Sequence, residues 1–342
     1  MSTSVNSQLD FSHLVSLTTR LGVYEHAQGV EPRLEHGYCV DDVARALVVT
    51  SRASAPNQVV TDLARSYLDF VLAALRPSGL INNRRDVEGV WTDSPSTNDH
   101  WGRAIWALGT AAANSPDLMV SSRAFTGATT AMQVRSSWPR ATAYAVLGAS
   151  RMLLVDREHE PSLALLRDAQ LSFAAPSNDT FWPWPEDRLT YANAVIPEAM
   201  IAVADALDDS ALLRHGLMLL NWLIGEQMHD GHLSVVSSLG RARGAAKPAF
   251  AQQPIEVACL AEACRQAFVV THNTHWLSVI DQCVAWFEGA NDVGLPVHDP
   301  VTGGGFDGLE IGSVSRNEGA ESTLAWLATK QITLMPTLVA FP

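Results

Sequence analysis

The sequence predicts an all-α fold, an (α/α)6 toroid in which six inner helices are surrounded by six outer helices. Two observations carry this prediction. Runs of alternating β-branched residues are scarce, whereas Ala- and Leu-rich segments with helical periodicity recur along the chain. These segments are of two alternating kinds, one apolar on nearly every face and one with a clear polar face. Because a helix that is apolar all round is buried, the alternation places an inner ring inside an outer ring.

Twelve segments carry this helical pattern, and the inner ones are richest in small residues, as in "NDHWGRAIWALGTAAA". The outer ones show a half-polar pattern, as in "DLARSYLDFVLAAL". In chain order, outer and inner helices alternate at 10–20, 41–53, 61–75, 99–113, 121–134, 140–153, 162–174, 190–206, 211–228, 253–269, 274–288 and 318–329. No linker or change of composition divides the chain, so one domain spanning 1–342 is expected.

Composition and charge exclude several classes of protein. Hydrophobic residues make up 47% of the chain and charged residues 17%, which is typical of a packed globular protein. The formal net charge of −13 leaves no basic footprint for nucleic acid. No apolar run approaches the length of a membrane span, and the first residues lack a signal-peptide pattern. The four cysteines show no paired spacing, so free thiols in a cytoplasmic protein are expected.

Polar and aromatic residues gather where the inner helices begin. They are Tyr38, Asp41 and Asp42, then Asp99 and His100, then Arg140, then Trp182, Trp184, Glu186, Asp187, Tyr191 and Asn193, then Gln253 and Glu256, and last Arg316, Asn317, Glu318 and Glu321. Acids and amides are common caps of helix N-termini, and that role alone accounts for many of them. Capping does not account for the aromatic residues and arginines beside them. In a toroid these helix starts surround one funnel, so the pattern predicts a single polar site.

Carboxylates, amides, arginines and aromatic rings around one cavity are typical of a carbohydrate site. Sugar hydroxyls need donors and acceptors, and the C–H face of the ring needs an apolar platform. Trp91, Trp182 and Trp184 are the predicted platforms, and Arg140 and Arg316 are predicted to bind hydroxyls or a substrate carboxylate. An oligosaccharide or glycoside substrate is therefore expected.

Glycoside chemistry needs two carboxyl groups, one acting as a proton donor and the other as a base or nucleophile. Neighbouring residues on a helix point about 100° apart, so only one of Asp41 and Asp42 is expected to face the funnel. We expect Asp42 to face it, while Asp41 caps the helix or orients Arg45 or another neighbour. The partner acid is expected from the opposite arc, among Glu186, Asp187, Glu256 and Glu318.

With this helix pattern and these motifs, the chain resembles the six-hairpin glycosidase superfamily of (α/α)6 toroids. The resemblance implies a glycoside hydrolase, with inversion of configuration favoured. The segment "HGYCVDDVARAL" is also similar to a "Y-C-x-D-D-N-A-R-A-L" segment of a bacterial sugar-active group, with Val43 where that group has Asn. This second resemblance carries no mechanism over to the chain.

Two other functions stay open at this point. The N-acylglucosamine 2-epimerase group shares the barrel and would use histidines as acid and base. His100 is the best placed candidate, and the lack of a second histidine at an inner helix start counts against this reaction. A non-catalytic oligosaccharide-binding toroid would need no acid pair, and the surplus of acids argues against it. The sugar, the linkage, endo or exo action, hydrolysis or phosphorolysis, and the oligomeric state are not fixed by the sequence.

No metal or cofactor is expected. The chain has no HExxH or CxxC motif, and the nearest cluster, His229 and His232 of "HDGH", is predicted to lie in a solvated loop. The glycine-rich "GGGFDG" lacks the Lys-Ser/Thr pair of a phosphate-binding loop, and no dinucleotide-binding turn is present.

Overall fold

A computed structural model describes residues 9–173, 179 and 181–335. Over these ranges the chain forms twelve α-helices and one short 3-10 helix at Leu34–His36. The α-helices are α1 (Ser12–Ser16), α2 (Val40–Ser51), α3 (Gln58–Ala74), α4 (Asp99–Asn114), α5 (Leu118–Ala131), α6 (Pro139–Met152), α7 (Glu160–Ser172), α8 (Val195–Ala206), α9 (Ser210–Gln227), α10 (Pro254–Thr271), α11 (His275–Phe287) and α12 (Ala320–Leu334). The all-α class is confirmed.

The even-numbered helices form a closed inner ring. Each of α2, α4, α6, α8, α10 and α12 contacts the next, and α12 contacts α2. Helices α5, α7, α9 and α11 pack against the inner helices that precede and follow them, α3 packs against α2 and α5, and α1 packs against α12. The (α/α)6 toroid is therefore confirmed, and its inner helices are the small-residue segments that the sequence predicts.

Two predicted helices are shorter than expected. Helix α1 ends at Ser16, because Thr18–Thr19 pairs with Gly22–Val23 in a hairpin. Helix α8 starts at Val195 rather than at 190, because Ala192 adopts a left-handed backbone with φ of 45°.

Within the described residues, six antiparallel pairs of very short strands connect the helices. They are β1 (Thr18–Thr19) with β2 (Gly22–Val23), β3 (Ala27–Gln28) with β4 (Glu31–Pro32), β5 (Tyr38–Cys39) with β6 (Arg84–Arg85), β7 (Arg188–Leu189) with β10 (Arg241–Ala242), β8 (Met228–His229) with β9 (His232–Leu233), and β11 (Gly308–Glu310) with β12 (Ser313–Ser315). Strands of two or three residues leave no alternating pattern in the sequence. The β5–β6 pair matters most here, because it holds the loop between α3 and α4 against the start of α2.

Helices α4 and α6 touch each other along their backbones. A Cβ atom added at Gly102 would lie 2.1 Å from the carbonyl oxygen of Ala141, and one added at Gly109 would lie 2.2 Å from that of Gly148. A Cβ atom added at Gly148 would in turn lie 2.2 Å from the carbonyl oxygen of Ile105. Only glycine fits at these three positions, which we call the glycine seam. None of the helices in the described part of the chain is long and apolar enough to cross a bilayer.

Candidate functional site

A cavity of about 550 Å³ opens where α2, α4 and α6 begin. Its volume lies in the range of small-molecule sites. The first turns of α2 and α4, the residue before α6 and the loop between α3 and α4 supply the wall. The wall includes Asp41, Asn83, Asp93, Asp99, His100 and Trp138. Three residues predicted from the sequence, Asp41, Asp99 and His100, are therefore brought together.

Asp41 is the acid of the "DD" pair that reaches this cavity, and its side chain is 21% exposed. It accepts hydrogen bonds from Nη1 of Arg103 at 2.5 Å and from Nδ2 of Asn83 at 3.0 Å. Burial alone would raise the pKa of Asp41, but the guanidinium groups of Arg103 and Arg45 outweigh it and hold that pKa below its usual value. Asp41 is therefore an ionised carboxylate on the cavity wall.

Asp42 points into the protein, so the expectation that it faces the funnel is wrong. Its side chain is 3% exposed and accepts hydrogen bonds from Nη1 of Arg45 at 2.6 Å and from the Cys39 thiol at 3.1 Å. Arg45 lies three residues further along α2 on its buried side, and its ion pair holds Asp42 there. Burial raises the pKa of Asp42 to about 6 even though Arg45 opposes the shift. The role of orienting Arg45 belongs to Asp42, not to Asp41.

Asp99 has no hydrogen-bond or ion-pair partner among the described residues, although it is partly buried in the cavity wall. Burial raises its pKa, nearby Arg103 opposes the shift, and the Asp41 carboxylate adds to it. Asp41 and Asp99 thus open into one cavity with their pKa values moved in opposite directions.

His100 follows Asp99 on the same wall and has a defined tautomer. Its Nε2 lies 2.9 Å from the carbonyl oxygen of Ile81, and a carbonyl oxygen only accepts. Nε2 therefore carries a proton. In the neutral imidazole, Nδ1 keeps its lone pair and is able to accept a proton.

Arg103 is a residue of this site that the sequence reasoning missed. It lies on the second turn of α4, is buried, and packs its guanidinium over the rings of Tyr144 at 4.8 Å and Tyr191 at 6.0 Å. The sequence does contain a signal for Arg103, because this charged residue interrupts the otherwise apolar stretch "WGRAIWALG". Asn83 and Asp93 lie in a loop without periodicity, so no sequence signal singles them out.

Arg140 and Glu186 form a second charged group beside the first. The Arg140 guanidinium donates to both Glu186 oxygens, at 2.8 and 2.9 Å, and to the carbonyl oxygen of Tyr191 at 2.6 Å. It lies over the Tyr191 ring at 5.1 Å. Because Arg103 lies over the same ring, this group adjoins the Asp41 side of the cavity. Arg140, Glu186 and Tyr191 are thus brought together. Both carboxylate oxygens of Glu186 are engaged in the bidentate ion pair with Arg140.

Glu256 anchors the turn before α8 and does not line the cavity. It is buried and accepts hydrogen bonds from the backbone N–H of Ala192 and from both the backbone N–H and Nδ2 of Asn193. Burial raises the pKa of Glu256 to about 7, against the hydrogen bonds from Asn193. These bonds hold the left-handed residue Ala192, so the contacts give Glu256 a structural role.

The tryptophans predicted as sugar platforms lie elsewhere. Trp182 and Trp184 are 9% and 3% exposed and pack against Trp222, with ring centroids 5.1 and 6.0 Å away. Trp222 lies on α9, far along the chain, so no local sequence pattern indicates that the apolar core covers these rings. Trp91 packs against Phe70 outside the cavity. The exposed aromatic ring on the wall is Trp138, which is 57% exposed.

The other predicted site residues do not line this cavity either. Glu318 is buried beside Thr302, whose hydroxyl donates to it at 2.6 Å, so its expected place as the partner acid is wrong. The rest make structural contacts or lie at the surface. Tyr38 is buried beside Thr19, Asn317 accepts from the backbone of Gly29, Glu321 pairs with Arg45, Gln253 precedes α10, Arg316 lies over Phe306, and Asp187 is exposed.

One group of potential metal ligands occurs in the described chain, formed by Glu25, Cys39 and Asp42 within 4.8 Å of one another. Asp42 is already paired with Arg45, and Glu25 is paired with Arg84. Burial raises the pKa of the Cys39 thiol well above its usual value, so the sulfur stays protonated. This donor set does not favour a metal ion.

No protein-family model and no curated protein matches the chain. Solved structures do match it over nearly its whole length. A sugar epimerase from a ruminal bacterium has 15% identity and a TM-score of 0.69, covering 95% of both chains. A cellobiose 2-epimerase from Bacillus thermoamylovorans has 13% identity and a TM-score of 0.68, covering 94% of this chain and 95% of its own.

An α-mannanase from Bacteroides thetaiotaomicron is also similar, with 11% identity and a TM-score of 0.63, covering 93% of this chain and 92% of its own. The shared feature is the fold. At these identities the likeness extends to the (α/α)6 toroid and not to an activity.

Proposed function

We propose that the chain is a carbohydrate-active enzyme that hydrolyses a glycosidic bond, with Asp99 as general acid and Asp41 as the ionised carboxylate. One observation carries this proposal. Both carboxyl groups open into the same cavity of about 550 Å³, from the first turns of neighbouring inner helices. Glycoside hydrolysis needs such a pair, one carboxyl protonated and the other ionised.

The surroundings of the two acids suit these roles. Asp99 has no partner among the described residues, so its proton is free to move to a leaving oxygen, and burial raises its pKa. Arg103 holds Asp41 ionised, ready to take a proton from water or to attack the anomeric carbon. Environments that push two pKa values apart are what an acid and base pair requires.

The rest of the wall favours an uncharged sugar. Asn83 and Asp93 present polar atoms, and Asp93 is fixed by the backbone N–H groups of Asn83 at 2.7 Å and Arg84 at 3.0 Å. Arg84 is the single arginine of the described wall, and it is already paired with Glu25. With acids in excess, the cavity disfavours a phosphate ion, so hydrolysis is favoured over phosphorolysis.

Trp138→Ala should raise KM about 3- to 10-fold and leave kcat nearly unchanged, because a stacking platform binds the ground state and the transition state alike. Steady-state kinetics on the substrate identified by proton NMR measures KM and kcat. Phe181→Ala, which removes an aromatic ring that is 79% exposed outside the cavity, is the control and should change neither. A fall in kcat at constant KM would contradict a platform role for Trp138.

A second candidate is a sugar 2-epimerase, favoured by His100 on the same wall. The lone pair on Nδ1 of His100 would take the proton from the carbon next to the sugar carbonyl. Asp99, which has no partner among the described residues, would return a proton. Two similar structures are described as a sugar epimerase and a cellobiose 2-epimerase, which supports epimerisation as the second candidate function.

A proton NMR time course separates these functions. The purified protein is incubated in H₂O and in D₂O with a pool of α- and β-linked gluco-, manno-, galacto- and arabino-oligosaccharides, with and without phosphate. New reducing-end signals establish hydrolysis, and the anomer formed first distinguishes inversion from retention. A C2 epimer carrying deuterium, without cleavage, establishes the epimerase. Broadened ligand signals without any product would contradict both enzymatic functions and favour a binding protein.

A further inference from the structure

A second and much smaller cavity, of about 30 Å³, lies on the axis of the toroid, and we call it the axial cavity. Every inner helix contributes to its wall. In the order of the helices, these residues include Arg45, Trp106, Tyr144, Glu198, Cys259 and Leu324. The volume admits about one or two water molecules and is far too small for a sugar. It is therefore separate from the candidate active site.

Glu198 stands out on this wall because its carboxyl group has no hydrogen-bond or ion-pair partner among the described residues. The residue is only 6% exposed. Four of its polar neighbours are engaged with each other, since Arg52 pairs with Glu262, and Tyr144 contacts the Cys259 sulfur at 3.5 Å. Arg151 is near enough to lower the pKa of Glu198 but forms no ion pair with it. A buried carboxyl group without a partner is costly, and buried polar groups that protein atoms leave unsatisfied are normally satisfied by water.

Arg45 does not supply the missing partner either. Its Nη1 donates to Asp42 at 2.6 Å and its Nη2 to Glu321 at 2.8 Å, so both terminal nitrogens point at other carboxylates. The space next to the Glu198 carboxyl group is the axial cavity itself, whose wall is otherwise largely apolar.

We propose that the axial cavity is a water-binding site organised by Glu198, whose carboxyl group is protonated at neutral pH. The carboxyl O–H donates to the bound water, and the carbonyl oxygen accepts from it. Deprotonation would place a second buried anion beside the Glu262 carboxylate, while the Arg52 guanidinium is already paired with Glu262. The proposal does not depend on the reaction at the funnel.

The electrostatics of the axial cavity agree with a neutral carboxyl. Burial raises the pKa of Glu198, and the Glu262 carboxylate raises it further, against the opposing effect of Arg151 and Arg52. The titratable groups that face it are Arg45 and Arg52 from α2, Tyr144 and Arg151 from α6, and Cys259, Glu262 and Cys264 from α10.

The direction of the pH effect follows from this raised pKa. Because folded Glu198 holds its proton to higher pH than the unfolded chain does, its contribution to stability is fully present at acid pH. That contribution is lost as pH rises through the pKa of the folded state.

Glu198→Gln tests the proposal, because glutamine keeps the shape and stays neutral at every pH. Its Tm should match that of the wild type at about pH 4, below the pKa of an unfolded glutamate, and exceed it by about 5 °C at pH 9. The control Glu158→Gln, which removes an exposed acid, should follow the wild type at both pH values. Equal losses of Tm with pH in the wild type and in Glu198→Gln would overturn the proposal.

A high-resolution crystal structure of the wild type at neutral pH tests the water site without any variant. We expect an ordered water within hydrogen-bond distance of the Glu198 carboxyl group. A dry axial cavity, or a direct ion pair between Glu198 and Arg151, would overturn the proposal whether or not the variant folds.

Discussion

Asp99→Asn is expected to lower kcat about 100- to 10,000-fold, since an amide cannot give up a proton to the leaving oxygen. The melting temperature should stay close to that of the wild type, because the Asp99 side chain makes no hydrogen bond or ion pair with another described residue. Initial rates on the substrate identified by NMR, together with thermal unfolding, measure the two quantities. A general acid loses turnover without losing stability, which separates this role from a structural one.

Asp281→Asn is the matched control for this variant, because Asp281 is an exposed acid on the outer helix α11. Its kcat should equal that of the wild type. The wild-type rate should also fall as pH rises through the raised pKa of Asp99, and should fall at low pH when Asp41 takes up a proton. An Asp99→Asn enzyme with more than half the wild-type kcat would remove Asp99 from the mechanism.

Arg45→Met should lower the free energy of unfolding by about 3–5 kcal/mol, the cost typical of leaving one member of a buried ion pair alone. Asp42, at 3% exposure, would lose its cation while keeping only the thiol of Cys39 as a donor. Chemical denaturation at pH 7 measures the loss. Because the pKa of Asp42 already lies at about 6, removing Arg45 should raise that pKa further and make the loss smaller at pH 5.

Arg167→Met provides the comparison, since Arg167 and Glu160 form an ion pair whose side chains are more than half exposed. An exposed pair of this kind contributes about 0–1 kcal/mol. The double variant Arg45→Met with Asp42→Leu should recover part of the loss, because it removes the unpaired charge as well. If Arg45→Met and Arg167→Met cost the same, the Asp42–Arg45 pair does not hold the start of α2.

The inner and outer rings could be predicted from the sequence because a solvent-exposed helix face carries polar residues and a buried face carries apolar ones. Helix α4 is apolar on almost every side, whereas α3 is half polar, and these patterns depend only on local residues. The shortened start of α8 could not be predicted in this way. It depends on Glu256 from α10, which is distant in sequence and holds the backbone of Ala192.

The cavity wall could be predicted only in part, because local patterns identify some of its residues and contacts between distant segments decide the rest. Helix N-termini identify Asp41, Asp99 and His100, because the toroid brings those termini to one place. Which of Asp41 and Asp42 faces outward depends on Arg103 and Arg45, and no local pattern decides between them. The burial of Trp184 depends in the same way on Trp222, a partner supplied by another helix.

The glycine seam has a consequence for ligand selectivity. Asp99 and Trp138 lie at the starts of the two helices whose backbones touch along it, so main-chain contact sets the spacing between acid and platform. A single methyl group at Gly109, about three helical turns below Asp99, would push α4 and α6 apart. The size of ligand that the cavity accepts can therefore change through substitutions at positions that no ligand reaches.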